Sequence, residues 1–158
     1  AKFLKENLDI DFEWSVYGVR NIDFASSKLG IDAGLNNVNL KGVVSASELA
    51  NSLSEATVYV HPSYIDNSPN SVCEAQVLGV PVVANNVGGI SSLITHNETG
   101  FLVPANDPFM TSHYIKELIL NPELRNEISS NAHKVASHRH NPDTISEDLL
   151  NIYKKILD

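Results

Sequence analysis

The chain has 158 residues, 42% hydrophobic and 19% charged, a size and balance that suit one globular domain with a core of its own. A formal net charge of −8 excludes the basic surface that nucleic acid requires, and argues against this domain alone resting on an anionic membrane. The single cysteine, Cys73, excludes an internal disulfide framework and fits a reducing, cytoplasmic compartment, and no apolar run reaches the ~20 residues of a membrane span.

In chain order, residues 1–8 read as the tail of a helix. Residues 12–17 alternate and end at Gly18, which predicts a strand opening onto a turn. A short helix is expected over 24–29 and a strand over 37–42. Ser45 and Glu48 have the spacing of a capping box for a helix carrying Leu49 and Leu53. The β-branched and aromatic run 56–60 predicts the next strand, which delivers the chain to a polar loop, 63–69. Ser68 is expected to cap a short helix with Pro69 at its first position, and Gly79 to close that helix in the left-handed conformation. Residues 80–84 form the following strand, a short helix runs from Gly88-Gly89 to about Thr95, and 101–103 is a last strand. Asp107, Asn121-Pro122 and Asn141-Pro142 open three closing helices, the last with Ile145, Leu149, Ile152 and Ile156 at helical spacing.

Strands alternating with helices over short connections imply an α/β fold with a doubly wound, mostly parallel sheet. Ligands of such sheets lie beyond the carboxyl ends of the strands, so the turns after Gly18, Gly42, His61 and Ala84 are expected to share one rim. The loop before the 70–77 region adds chemistry to that rim. A strand, a polar loop and a helix N-terminus form an anion site, because unpaired N–H groups and the helix dipole point into the loop. The backbone N–H groups of Asn67, Ser68, Asn70 and Ser71 are the candidates. Asp66 and Glu74, eight positions apart, set carboxylates beside it, which suits a phosphorylated polyol such as a sugar nucleotide.

The same residues resemble a known motif. Asp66, seven residues, Glu74-Ala75, then Gly79-Val80-Pro81-Val82-Val83-Ala84 and Gly88-Gly89 look like the donor-site motif of retaining glycosyltransferases of the GT-B fold, family 4. The likeness continues through 99–104 and Asp107 and covers nearly the whole chain. Two departures stand out: Asp66 replaces the family's usual Glu, and Asn67-Ser68 replaces its Gly-aromatic pair. The resemblance implies a Rossmann-like, carboxyl-terminal donor-binding domain, residues 1–158, lacking the family's first βα unit and the amino-terminal acceptor domain. It implies that Glu74 accepts hydrogen bonds from the ribose hydroxyls and that Asp66 meets the transferred sugar or supports charge at its anomeric centre. It carries the turns at Gly18 and at Gly42-Val43 as further donor-binding positions, the latter reading the nucleobase through main chain.

The implied reaction moves a sugar from a nucleoside diphosphate to an acceptor hydroxyl in polysaccharide or glycoconjugate synthesis. The partners would be the nucleotide-sugar donor and, through the absent domain, an acceptor sugar or lipid-linked glycan. No cofactor and no metal are expected. The full-length protein would be cytoplasmic or peripheral at the inner membrane face, and this chain alone inactive. Two other readings stay open: a non-catalytic nucleotide-sugar-binding subunit that needs a partner chain, and a GT-B sugar-nucleotide epimerase. Asp9-Ile10-Asp11 spells the Asp-x-Asp of the other main glycosyltransferase fold, but it lies before the 12–17 strand, away from the rim. His133, His138 and His140 read as a solvated helix face, and Arg20, just past the Gly18 turn, as an exposed surface side chain rather than a phosphate contact. His61 ends a strand at the rim as a buried or site-lining residue, and Gly88-Gly89 permits close approach to a ligand or opens the next helix.

Overall fold

A computed structural model describes residues 1–9 and 11–157. In order, the elements are α1 (Lys2–Asn7), β1 (Trp14–Tyr17), α2 (Asp23–Leu29), β2 (Val38–Gly42), α3 (Ala46–Ser54), β3 (Tyr59–His61), α4 (Asn70–Val77), β4 (Val82–Asn85), β5 (Phe101–Val103), α5 (Pro108–Leu120), α6 (Pro122–Arg139) and α7 (Pro142–Leu157), with 3₁₀ turns at Gly34–Asn36 and Ile90–Ser92. Every named strand pair is parallel. The α/β expectation holds, with one correction. Hydrogen bonding divides the described strands into two sheets, β1-β2 and β3-β4-β5, rather than one. The strands lie over shared apolar packing all the same, because Trp14 of β1 and Val60 of β3 rest against the same core cluster.

The middle strand explains why this region folds around 82–85. Val83 faces a cluster with Leu4, Phe101, Val103, Leu118 and Ile128. Val82 and Ala84 face the opposite cluster, with Val72, Ile90 and Ile94. A parallel strand covered on both sides reads as a continuous apolar run, as Val82-Val83-Ala84 does. Each valine buried this way stabilises the fold by about 1.5–3 kcal/mol.

Local punctuation sets the helix ends. Ser45 and Glu48 form the expected reciprocal capping box on α3. Asp107 and Asn121 accept from the amides of Met110 and Leu124 to open α5 and α6. Helix α4 closes on Gly79 at φ 73°, with Val80 N–H donating to Ala75 O and Gly79 N–H to Gln76 O. That pair of bonds is a Schellman motif, and the positive φ is why glycine stands there.

The opening of α4 differs from the sequence reading. Pro69, with ψ 116°, is itself the N-cap and no side chain caps the helix. An extended Pro69 starts the helix one residue later and moves the Ser68 hydroxyl out of reach of the first helical amides. The helix expected after Gly88-Gly89 is only the 3₁₀ turn Ile90–Ser92. On α7, Ile145, Leu149, Ile152 and Ile156 are all exposed, so helical spacing does not bury them here. Among the described residues no helix is long and apolar enough to cross a membrane.

Candidate functional site

The site is built on the loop between β3 and α4. Two glycines from the β4 side fix its backbone. Gly89 N–H donates to Asp66 O at 3.2 Å. A Cβ on Gly88 would overlap the Asp66 carbonyl, and one on Gly89 the Asn67 carbonyl. Gly88-Gly89 therefore serves close approach of the site loop itself, and Gly89 also opens the next helix, as expected, as the N-cap of the 3₁₀ turn Ile90–Ser92. Asn85 Nδ2 donates to Ser63 O at 3.2 Å, and the Tyr64 hydroxyl to Asn106 Oδ1 at 2.6 Å, adding ties on either side. Asp66 is half-buried, its Oδ2 3.2 Å from His61 Nε2.

Helix α4 carries the rest. Asn67, Ser68 and Asn70 are exposed and Ser71 is half-buried, so all four expected anion-binding positions stand at the mouth of the helix. Within the helix the first amide bonds run from Val72 and Cys73 to Pro69 O, which leaves the N–H groups of Asn70 and Ser71 outside the helical ladder. Glu74 is exposed on the side facing α3. It lines a cleft of about 540 Å³ together with Leu49 and Leu53 of α3, Cys73, Val77, Leu78 and His140. Tyr59, half-buried on β3, feels the charges of both acids. Burial pushes its phenol above the ordinary tyrosine range, the Ser71 hydroxyl opposes this, and the charges of Glu74 and Asp66 both add to the rise.

The β1-β2 end contributes two more of the expected positions. Gly18 N–H donates to Gly42 O at 2.7 Å, so the turns after β1 and β2 lie side by side. Both glycines have positive φ, 80° and 69°. Val43 is exposed immediately beyond, three residues before α3 lines the cleft at Ala46. Arg20 is exposed and lies over the face of Gly42, where a side chain on Gly42 would press on it.

The histidines need correcting. His133 is exposed, but its Nδ1 lies 2.6 Å from Val77 O, tying α6 to the end of α4. His140 lines the Glu74 cleft. Neither is simply part of a solvated face. Asp9 and Asp11 lie with Lys5 and Asn37 around a polar hollow before β1, at the opposite end of the strand from Gly18; Ile10 lies outside the described residues. Among the described residues no three His, Cys, Asp or Glu side chains converge as metal ligands would. Sequence reasoning missed Tyr59, Leu49 and His140 as parts of the site. Only Tyr59 left a signal, standing two residues before His61 on the same strand face.

Comparison with known proteins gives this geometry its setting. Residues 1–135 match the family described as "Glycosyl transferases group 1". The chain belongs to that family. A D-inositol 3-phosphate glycosyltransferase of Paenarthrobacter aurescens (strain TC1) is 35% identical over 127 residues, which is 78% of this chain and 31% of the relative. The capsular polysaccharide biosynthesis glycosyltransferase CapM of Staphylococcus aureus is 33% identical over 100 residues, 63% of this chain and 26% of CapM. The chain thus spans about a third or less of the length of these relatives. Among solved structures, TarM of S. aureus superposes with a TM-score of 0.78 at 23% identity, over 96% of this chain and 30% of TarM. Anabaena Alr3699/HepE in complex with UDP-glucose gives 0.70 at 24% identity, over 84% of this chain and 35% of that protein. These likenesses show that the group 1 domain has the α/β fold of GT-B glycosyltransferases.

Proposed function

We propose that this group 1 domain is the donor-binding half of a retaining, family 4 glycosyltransferase, an enzyme that moves a sugar from a nucleoside diphosphate to an acceptor hydroxyl. The observation that carries the reading is the placement of Glu74. The residue lines an apolar cleft together with Asn70, whose N–H, like that of Ser71, lies outside the helical ladder at the start of α4. Apolar walls pack against a nucleobase, a carboxylate accepts two hydrogen bonds from a vicinal diol, and helix N–H groups donate to phosphate oxygens. A nucleoside diphosphate has those three parts in that order. HepE, in the same fold, was solved with UDP-glucose.

In this reading the diphosphate lies against Asn67, Ser68, Asn70 and Ser71, and the turns at Gly18 and Gly42-Val43 bound the base side. Asp66 faces the transferred sugar. As the bond to the anomeric carbon breaks, positive charge grows on the sugar and negative charge on the departing phosphate. Asp66 stabilises the first and the α4 amides the second. The domain's net charge of −8 and its exposed anion site make cations from elsewhere in the full-length protein necessary to hold the diphosphate tightly. A further parallel strand between β1 and β3 would join the two sheets into the single sheet that the sequence pattern called for. We assign that strand, and the acceptor-binding domain, to the rest of the full-length protein. The products would enter polysaccharide or glycoconjugate synthesis, as the name of CapM indicates for that relative.

A thermal-shift panel of nucleoside diphosphates and their sugar conjugates on the full-length protein tests the reading. Stabilisation by at least one nucleotide sugar is expected. A flat response across all bases and sugars would overturn it.

A further inference from the structure

His61 is nearly buried, at 7% exposure, and stands between two groups. Its Nδ1 lies 3.2 Å from the Tyr59 hydroxyl, and its Nε2 lies 3.2 Å from Asp66 Oδ2. Chemistry gives this chain a direction. The Tyr59 phenol holds its proton at neutral pH and can donate it to an imidazole nitrogen. His61 Nδ1 then accepts, which leaves the imidazole hydrogen on Nε2, facing Asp66. A carboxylate only accepts, so each member meets its complement.

The backbone of Asp66 is held separately, by Gly89 N–H on its carbonyl. Backbone contacts do not set the rotation of a carboxylate. His61 does, by engaging Oδ2, while no described residue donates to Oδ1. The residue at this position matters because aspartate is one methylene shorter than the glutamate that the resembling motif carries. A shorter side chain reaches a sugar only from a fixed starting point.

We propose that His61 is a positioning residue for the donor sugar: held by Tyr59, it fixes one oxygen of Asp66 so that the other meets the transferred sugar. The inference rests on the reading of Asp66 given above. A merely structural His61 would fill space at the end of β3 and leave turnover indifferent to which polar atom it presents.

The test uses the full-length enzyme with His61→Gln and His61→Asn. The amide nitrogen of glutamine falls close to the position of Nε2 and that of asparagine close to Nδ1, so only the first can still reach Asp66. His61→Asn is expected to lower kcat by roughly 10- to 100-fold, the effect of a misplaced reacting group, with the Kd for the bare nucleoside diphosphate unchanged. His61→Gln is expected to recover most of that loss. Equal kcat in the two variants, whether both high or both low, would overturn the role of His61. Because a variant can fail to fold, a second measurement uses the wild-type histidine. The ¹⁵N signals of the His61 imidazole should report the Nε2–H form and move in Asp66→Asn, and signals that ignore Asp66→Asn would also overturn it. Wild-type turnover with indifferent His61 variants removes this inference alone, whereas a wild-type protein that binds no nucleotide sugar removes the proposed function and this inference with it.

Discussion

The amide of Gly89 donates to the carbonyl of Asp66 at 3.2 Å, and Gly88 lies so close to the same carbonyl that no side chain fits between them. The strand-to-loop junction after β4 is thereby the mould in which the Asp66 loop is set. Gly88 also has φ 52°. Gly88→Ala is expected to destabilise the fold by about 1–2 kcal/mol from the left-handed backbone alone, with the overlap adding to it. Chemical denaturation and turnover should both register the change. An alanine variant equal to wild type in each would contradict the close approach.

A second tie acts at the far side of α4. Gln76 is fully buried, and its Oε1 accepts from Arg139 at 2.7 Å while its Nε2 donates to Leu93 O at 2.9 Å. Arg139→Ala removes the charged donor and leaves a buried acceptor unpaired, at a cost of about 1–3 kcal/mol. The urea midpoint should fall accordingly, with donor affinity changed little. A midpoint equal to wild type would mean that water replaces the guanidinium.

Much of this was legible in the sequence, and the failures have local causes. The capping box at Ser45 and Glu48, the caps at Asp107 and Asn121, and the glycine at 79 are short-range chemistry, and each stands where it was expected. Ser68 was misread because Pro69 admits two values of ψ, and the extended one moves the helix start by one residue. Asp66 and Glu74 were singled out by spacing. Spacing does not show that Glu74 turns towards α3, since Leu49 and Leu53 come from a helix some twenty residues upstream. The packing of Gly88-Gly89 against the Asp66 loop joins segments some twenty residues apart, with no sequence period to announce it, whereas the contacts of His61 with Tyr59 and Asp66 are local and only the first follows from strand alternation. The apolar side of α7 was legible as a pattern, but a pattern does not say what covers it.

Alkaline pH probes Tyr59. Burial raises its phenol above the ordinary value of 10.0, and the nearby Glu74 and Asp66 charges add to that. Below the ordinary value both folded and unfolded chains hold the proton, and stability is unaffected. As pH rises from there through the raised value, the unfolded chain loses its proton first, so stability falls. Denaturation midpoints above pH 10 should therefore drop more steeply for wild type than for Tyr59→Phe, and parallel profiles would contradict the burial argument.

Metal dependence separates the two acidic motifs. Asp9 and Asp11 lie before β1, at the end of the strand away from Gly18 and the Asp66 loop. Turnover by the full-length enzyme is expected to survive EDTA. Loss of turnover restored by Mn²⁺ or Mg²⁺ would show that carboxylates and diphosphate share an ion after all.

The most direct test of the account is a calorimetric titration of the full-length protein with nucleoside diphosphate sugars, wild type against Glu74→Ala. Glu74 is exposed on α4 and makes no contact on which the core depends, so the variant should keep its fold. Loss of a charged acceptor for the ribose hydroxyls should weaken donor binding by about 1.5–3 kcal/mol, roughly 10- to 150-fold in Kd. A folded Glu74→Ala protein with the wild-type Kd would place the donor elsewhere and contradict the site described here.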